Sequence, residues 1–394
     1  MTDPKKRVAV VAPSFPPSKA GGVASSHERL ASLLEKSGCQ VRRFAFLDGH
    51  LSSDAVFRAC ASDRWKRTID TLSTLFFRLA DPSGRAYQTS DILKSLPGAR
   101  RLKRGILDFA PHEIILPDHG CPGLGLGAFP SSSRVTLVAH HNPMRFVNCP
   151  GLNSHSPLDA KIAVALENFS LSNIHRVIAP CHYMAAEFRQ TYRFSGDLAI
   201  IPNLIDIAEL DAISPLDPRR EMGLAPQAPL IYIPSAGSRI KGSAMLPELI
   251  RRIADLYQDP FGLYLSGSVS EQLVHQLPNH IPVFTPGHLP VDTNLAYVKS
   301  CSFALSPTLV ENFSMALLEV QMMGLAVVTF DIGGNRELVS VGQTGFIVAP
   351  FDVVSMAGKA SELLLNQTLF PTPMLKSLCR ARFDPDRWLP LWVN

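Results

Sequence analysis

Two glutamates, Glu311 and Glu319, stand eight residues apart in the segment 306–348, and a helix is expected to start between them near residues 312–314. Glu311 then lies in the loop before the helix, and Glu319 lies more than a turn inside it. The N–H groups of Phe313, Ser314 and Met315 would point out of the helix start, where the dipole favours an anion such as a diphosphate. Gly333 and Gly334 follow the next strand end, where they would let backbone approach a ligand closely. A pair of histidines, His140 and His141, precedes Asn142-Pro143 at another strand end, and His119 follows the run EIILPD. Near neutrality a histidine carries protons or positions a substrate, and a purely structural histidine fits the same pattern. The spacing of the glutamates alone also fits an ordinary amphipathic helix with solvated carboxylates. Anion and hydroxyl recognition is the chemistry in view.

These positions require strands that end side by side. The run VAVVAP (8–13) is continuously apolar, as expected of a parallel strand buried on both faces. A helix with Leu30, Leu33 and Leu34 on one face follows, then the strand 40–47. Strand runs return at 113–117, 135–141, 176–180 and 198–203, with helices between them. After the Pro-rich stretch 210–229 a second series begins, with strands at 230–234, 261–267, 302–307 and 326–331. Helices around 243–257, 292–300 and 314–323 separate them. The expected fold is α/β: two Rossmann-like βα domains with a cleft between them and ligands at the strand ends. No repeat of solenoid length is present.

With 394 residues, 46% hydrophobic and 18% charged, the chain has ample material for buried cores and is not disordered. Its apolar runs are strand-sized, so no transmembrane helix is expected. The start, MTDPKKRVAVVAP, lacks the apolar core of a signal peptide. Seven cysteines are scattered without a CxxC pair, which reads as reduced thiols in a cytoplasmic protein. No His/Cys cluster has metal-ligand spacing, and no metal is expected. The net charge of +4 conceals eleven Lys/Arg against four Asp/Glu in the stretch 58–104. Without a binding motif or aromatic stacking pattern, nucleic acid is not an expected partner. The apolar residues in RTIDTLSTLFFRLADP (67–82) form no cleanly one-sided stripe, so packing in the first domain or an acceptor pocket is expected over peripheral membrane contact.

The segment 306–348 resembles the signature of the retaining glycosyltransferases of family 4, which have the GT-B fold. The likeness rests on Ser306-Pro307, Glu311-Asn312-Phe313-Ser314, Glu319, Gly324, Gly333-Gly334, Glu337 and Gly342-Gln343-Thr344-Gly345-Phe346. Pro16-Pro17 and Gly21-Gly22-Val23 resemble the first loop of that family, and IIPNLID (200–206) its domain end. The closing residues 383–394 are similar to a terminal helix that crosses back to the N-terminal domain. The resemblance implies an acceptor domain at 1–205, a donor domain at 206–375 and a returning helix at 376–394. It implies that Glu311 contacts donor-sugar hydroxyls, Glu319 the ribose, and the amides of Phe313, Ser314 and Met315 the diphosphate. Gly21 and Gly22 would approach the donor phosphate and the acceptor, with Gly287 and His288 also on the donor side. One of His140 and His141 would stand near the reacting sugar, and His119 and Asn142 on the acceptor side.

The chain departs from the pattern in three places. The loop Ser235-Ala236-Gly237-Ser238-Arg239-Ile240-Lys241-Gly242 keeps Lys-Gly but sets Arg239 closer to Lys241 than the family does. Leu204 replaces a glycine, and Cys181 stands where serine is common. A cationic pair at Arg239 and Lys241 still suits a leaving diphosphate that gains charge. The resulting expectation is a metal-independent, retaining transfer from a nucleotide sugar, a UDP-sugar first, to a sugar, natural-product or lipid-linked hydroxyl. A nucleotide-sugar 2-epimerase and a non-catalytic partner subunit are the alternatives.

Overall fold

The computed structural model describes residues 6–393 except 19–20, 54, 148, 150–151 and 153–154. Its contacts divide the chain into two units: the first runs to Leu204 and takes in the chain from Pro385, and the second runs from Ile205 to Asp384.

The first unit is a parallel sheet of β1 (Arg7–Ala12), β2 (Gln40–Ala45), β3 (Val56–Arg58), β4 (Glu113–Pro117), β5 (Arg134–Val138), β6 (Arg176–Ala179) and β7 (Asp197–Ile200). Their spatial order is β3-β2-β1-β4-β5-β6-β7. The apolar run of β1 is buried because both sheet faces are covered, and its side chains alternate between two cores. Val8, Val10 and Ala12 pack with Leu30, Ala31 and Leu34 of the helix Gly22–Lys36. Ala9 and Val11 pack with Leu102 and Ile106 of the helix Gln88–Phe109. Leu389 and Trp392 join the first of these cores, and Arg176 Nη1 donates to the Leu391 carbonyl at 2.7 Å. The segment 376–394 is thus divided, because the helix Thr372–Arg382 belongs to the second unit.

The second unit is a parallel sheet of β8 (Leu230–Ile233), β9 (Gly262–Leu265), β10 (Val283–Phe284), β11 (Phe303–Ser306), β12 (Ala326–Phe330) and β13 (Gly345–Val348), ordered β10-β9-β8-β11-β12-β13. In each sheet the order reverses beside the first strand: at β1 and β4, and at β8 and β11. Loops leaving such a pair diverge, and α/β sheets bind ligands in the crevice this opens at the carboxyl ends.

Three local features bear on what the sequence leads one to expect or leaves unread. β5 ends at Val138, so His140 and His141 lie in the loop beyond it. The helix Gln88–Phe109 runs through Pro97, an interior position where proline supplies no backbone N–H. The third is a correction at the helix Asp63–Ala80: only Ile69 and Phe77 are buried, whereas Leu72, Leu75, Phe76 and Leu79 are exposed.

Candidate functional site

In the second unit the loops after β8 and β11 are locked to each other. The Leu309 N–H donates to the Ile240 carbonyl at 2.9 Å. Gly242, at φ +85, brings its backbone so near the Pro307 carbonyl that a Cβ would stand 2.0 Å from it. Across this junction Lys241 Nζ lies 2.6 Å from Glu311 Oε2. The other carboxylate oxygen accepts the Asn312 N–H at 3.1 Å. Side-chain exposures of 30% for Lys241 and 13% for Glu311 leave the cation within reach of solvent and the carboxylate less so. Arg239 occupies the same 3₁₀ turn, Arg239–Lys241, but is exposed and makes no ion pair among the described residues. The structure does not bring Arg239 to Lys241's partner.

The helix beyond Glu311 is Met315–Met322, with Ser314 as N-cap: its hydroxyl accepts the Leu317 N–H at 3.4 Å. No acidic residue occupies the first turn, so no carboxylate of the helix itself offsets its positive end. The Phe313 ring is buried, 6.0 Å from the Phe383 ring, so this residue offers a ligand only its backbone. Gly333 has a reason in the backbone itself. At φ +58 its Cβ position falls 1.8 Å from the Glu311 carbonyl oxygen, and the Gly334 N–H donates to the Asn312 carbonyl at 2.8 Å. These glycines admit the Glu311 loop. Glu319 is half-buried on the helix, and its charge reaches Tyr232 of β8, whose hydroxyl burial pushes up to about 12. His288 is exposed, and Gly287 at φ +80 has open space where a Cβ would stand.

In the first unit, a pocket of about 620 Å³ opens at the carboxyl ends of β1, β2, β4 and β5. Gly21 and Gly22, at the start of the helix Gly22–Lys36, line it together with Asp48, His119 and Arg145. His119 and Arg145 also line a smaller pocket of about 110 Å³, which adds His141 and Glu167. Sequence reasoning missed Arg145 and Asp48, although each follows a strand by a few residues. Burial alone would raise the Asp48 carboxyl, but hydrogen bonds from His50, Ser18 and Arg58 prevail and hold it at about 2.

The four other expected residues here separate by role. His140 Nε2 lies 2.9 Å from Asn203 Oδ1, which also accepts from Ser26 at 3.1 Å; with that oxygen as acceptor the imidazole proton sits on Nε2. Burial lowers the pKa of His140, His141 and His119, keeping all three imidazoles neutral at pH 7. The backbone N–H of His141 donates to Asp118 Oδ2 at 2.5 Å, an acid that burial pushes up to about 7. Asn142 turns elsewhere. Its side chain accepts from the Met144 N–H and donates to Glu187 and Thr191, so it lines neither pocket.

Among the described residues, no three His, Cys, Asp or Glu side chains gather to hold a metal ion. No described helix is long and apolar enough to cross a membrane.

Residues 20–209 match the family described as Glycosyltransferase Family 4, and residues 230–366 match Glycosyl transferases group 1. The chain belongs to the family 4 glycosyltransferases. Sucrose-phosphate synthase from Thermosynechococcus elongatus superposes with a TM-score of 0.74 at 17% identity, covering 98% of this chain and 97% of that one. HepE from Anabaena, solved with UDP and glucose, gives 0.64 at 18% identity, covering 98% and 97%. Both likenesses establish the GT-B fold. Glycogen synthase from Mycobacterium tuberculosis is 37% identical over 78 residues, which is 20% of this chain and 19% of that protein. The match spans about a fifth of that relative's length.

Two departures of this glycosyltransferase from its family pattern have local reasons. Cys181 caps the helix His182–Thr191 by accepting the Met184 N–H at 3.5 Å, as a serine would. Leu204 is buried in the core that holds Leu30 and Trp392, so the larger side chain is used for packing.

Proposed function

We propose that this glycosyltransferase moves a sugar, with retention and without a metal, from a nucleoside diphosphate sugar to an acceptor hydroxyl. The observation that carries the reading is the junction of Lys241, Glu311 and the acid-free helix start at Ser314. A leaving diphosphate accumulates negative charge, and a lysine ammonium with helix N–H groups neutralises it where it develops. Glu311 accepts hydroxyls of the donor sugar and fixes the anomeric carbon, and Glu319 accepts the ribose hydroxyls of the nucleotide. HepE was solved with UDP and glucose, which supports a UDP-sugar as the first donor to try. The pocket with Gly21, Gly22, His119 and Arg145 would receive the acceptor, a sugar, a natural product or a lipid-linked hydroxyl. We place the protein in the cytoplasm, on the ground that its seven cysteines are scattered without a CxxC pair.

The test is a thermal-shift screen of nucleotide sugars, followed by NMR of the product anomer in buffer with EDTA. Stabilisation by one donor and an unchanged anomeric configuration are expected. Strict Mg²⁺ dependence or an inverted anomer contradicts the corresponding part. Free sugar plus nucleotide, with no acceptor consumed, favours the epimerase. Lack of donor binding altogether favours the non-catalytic subunit.

A further inference from the structure

The helix Asp63–Ala80 is docked on the helix Gln88–Phe109 through one face. Ile69 and Phe77 are buried there, the Trp65 indole donates to the Leu93 carbonyl at 3.0 Å, and Lys94 Nζ lies 2.9 Å from Asp70 Oδ1. Beside that face runs a second, apolar one that stays exposed among the described residues. Leu72, Leu75, Phe76 and Leu79 are 58%, 58%, 51% and 79% exposed. At about 100° per residue these four span roughly a quarter to a third of the helix circumference.

Charge is arranged around this stripe in an ordered way. On the same projection Arg64, Arg67 and Arg78 fall along its outer edge, and Asp63 and Asp70 fall beyond them, toward the packed face. The stretch 58–104, which contains the first helix and most of the second, holds eleven Lys/Arg against four Asp/Glu. Arg100, Arg101 and Arg104 are exposed on the second helix.

We infer that the helix Asp63–Ala80 is an interfacial anchor that lies on an anionic lipid bilayer. An interfacial helix combines a continuous apolar face with Lys/Arg at its polar margin. The margin binds lipid phosphates while the leucines and Phe76 enter the acyl boundary. A second copy of this chain fits less well, because a two-fold contact through the stripe would set Arg64, Arg67 and Arg78 near their own copies. Four side chains also fall well short of the roughly 800 Å² per partner that a stable interface buries. The inference does not depend on the proposed transfer reaction.

Sedimentation of the full chain with vesicles tests it, using phosphatidylcholine alone and phosphatidylcholine mixed with phosphatidylglycerol. Binding to the mixed vesicles only, released at high salt, is expected, because exposed charges are screened within about 3 Å at 1 M. The double substitution Leu75→Glu, Leu79→Glu should weaken that binding by at least about tenfold, since it removes two of the inserted side chains. Arg64→Gln with Arg67→Gln and Arg78→Gln should weaken it on mixed vesicles as well. All substituted side chains are exposed, and circular dichroism with the melting temperature checks that each variant is folded. Absence of binding to either vesicle by folded wild type overturns the inference. So does binding indifferent to Leu75 and Leu79, or a wild-type dimer that the double substitution dissociates, which assigns the stripe to a second copy.

Discussion

Lys241 reaches Glu311 across two loops that leave neighbouring strands, with Nζ 2.6 Å from Oε2. The sheet order explains the meeting, since β8 and β11 pair with Phe303 opposite Ile231 and their carboxyl ends emerge together. The two residues therefore form one unit: under the proposed reaction, a cation for the leaving group held in place by the carboxylate proposed to hold the sugar.

Lys241→Ala should lower kcat/KM by about 2–4 kcal/mol of transition-state stabilisation, the scale for losing one preorganised partner of developing charge. Glu311→Ala should lower kcat far more than donor affinity, because positioning of the reacting carbon is lost. Each single change takes the ion pair from the charge that remains in a half-buried place, so the double mutant should lose less folding stability than the sum of the singles. Wild-type turnover in either single mutant, or strict additivity of stability, would remove the shared role.

Glu319→Ala should act on the nucleotide rather than on the chemistry. Glu319 sits inside the helix Met315–Met322, one turn past the capped start where the diphosphate is proposed to lie. Affinity for the bare nucleoside diphosphate, measured by calorimetry, should fall while kcat at saturating donor changes little. Equal affinity in mutant and wild type would count against ribose recognition.

Much of this architecture is legible in the sequence because parallel strands buried on both faces read as unbroken apolar runs. EIILP coincides with β4, and Ala326–Phe330 opens the expected run 326–331. Short strands are less visible: β3 and β10 have three and two residues, too few for any period. Pro97 hides the long helix Gln88–Phe109, because local rules end a helix before proline while tertiary packing carries it through. At the site, the glutamate spacing and Lys241-Gly242 were readable. The commitment of Asn142 to Glu187 and Thr191, and the arrival of Arg145 at both pockets, depend on residues distant in sequence or on a turn that spacing does not define.

Gly333→Ala tests whether the Glu311 loop needs the glycine for its own backbone. The added methyl group would strain a positive φ and collide with the Glu311 carbonyl. Such strain costs about 1–3 kcal/mol, and the loop relieves it by moving Glu311 away from Lys241. Activity should drop together with the melting temperature. A variant of wild-type stability and activity would show that the close approach is not required.

Two buried acids give the first unit a pH dependence of definite sign. Burial pushes Glu167 up to about 8, the nearby Asp118 adding to the shift and the Tyr192 hydrogen bond opposing it; Asp118 itself stands at about 7. Both exceed their unfolded values of about 4, so the folded state holds more protons and stability falls as pH rises toward the folded pKa. The buried histidines act oppositely: lowered when folded, as His27 is to about 3, they add stability as pH rises to their unfolded value near 6.5. Above pH 7 the histidines have finished and the acids remain. Urea titrations of wild type should therefore show stability declining between pH 7 and 8, with the main loss assigned to Glu167. In Glu167→Gln, whose amide oxygen still accepts from the Tyr192 hydroxyl, most of that decline should vanish. A slope equal to that of wild type would mean that Glu167 does not hold a proton in the folded protein at neutral pH.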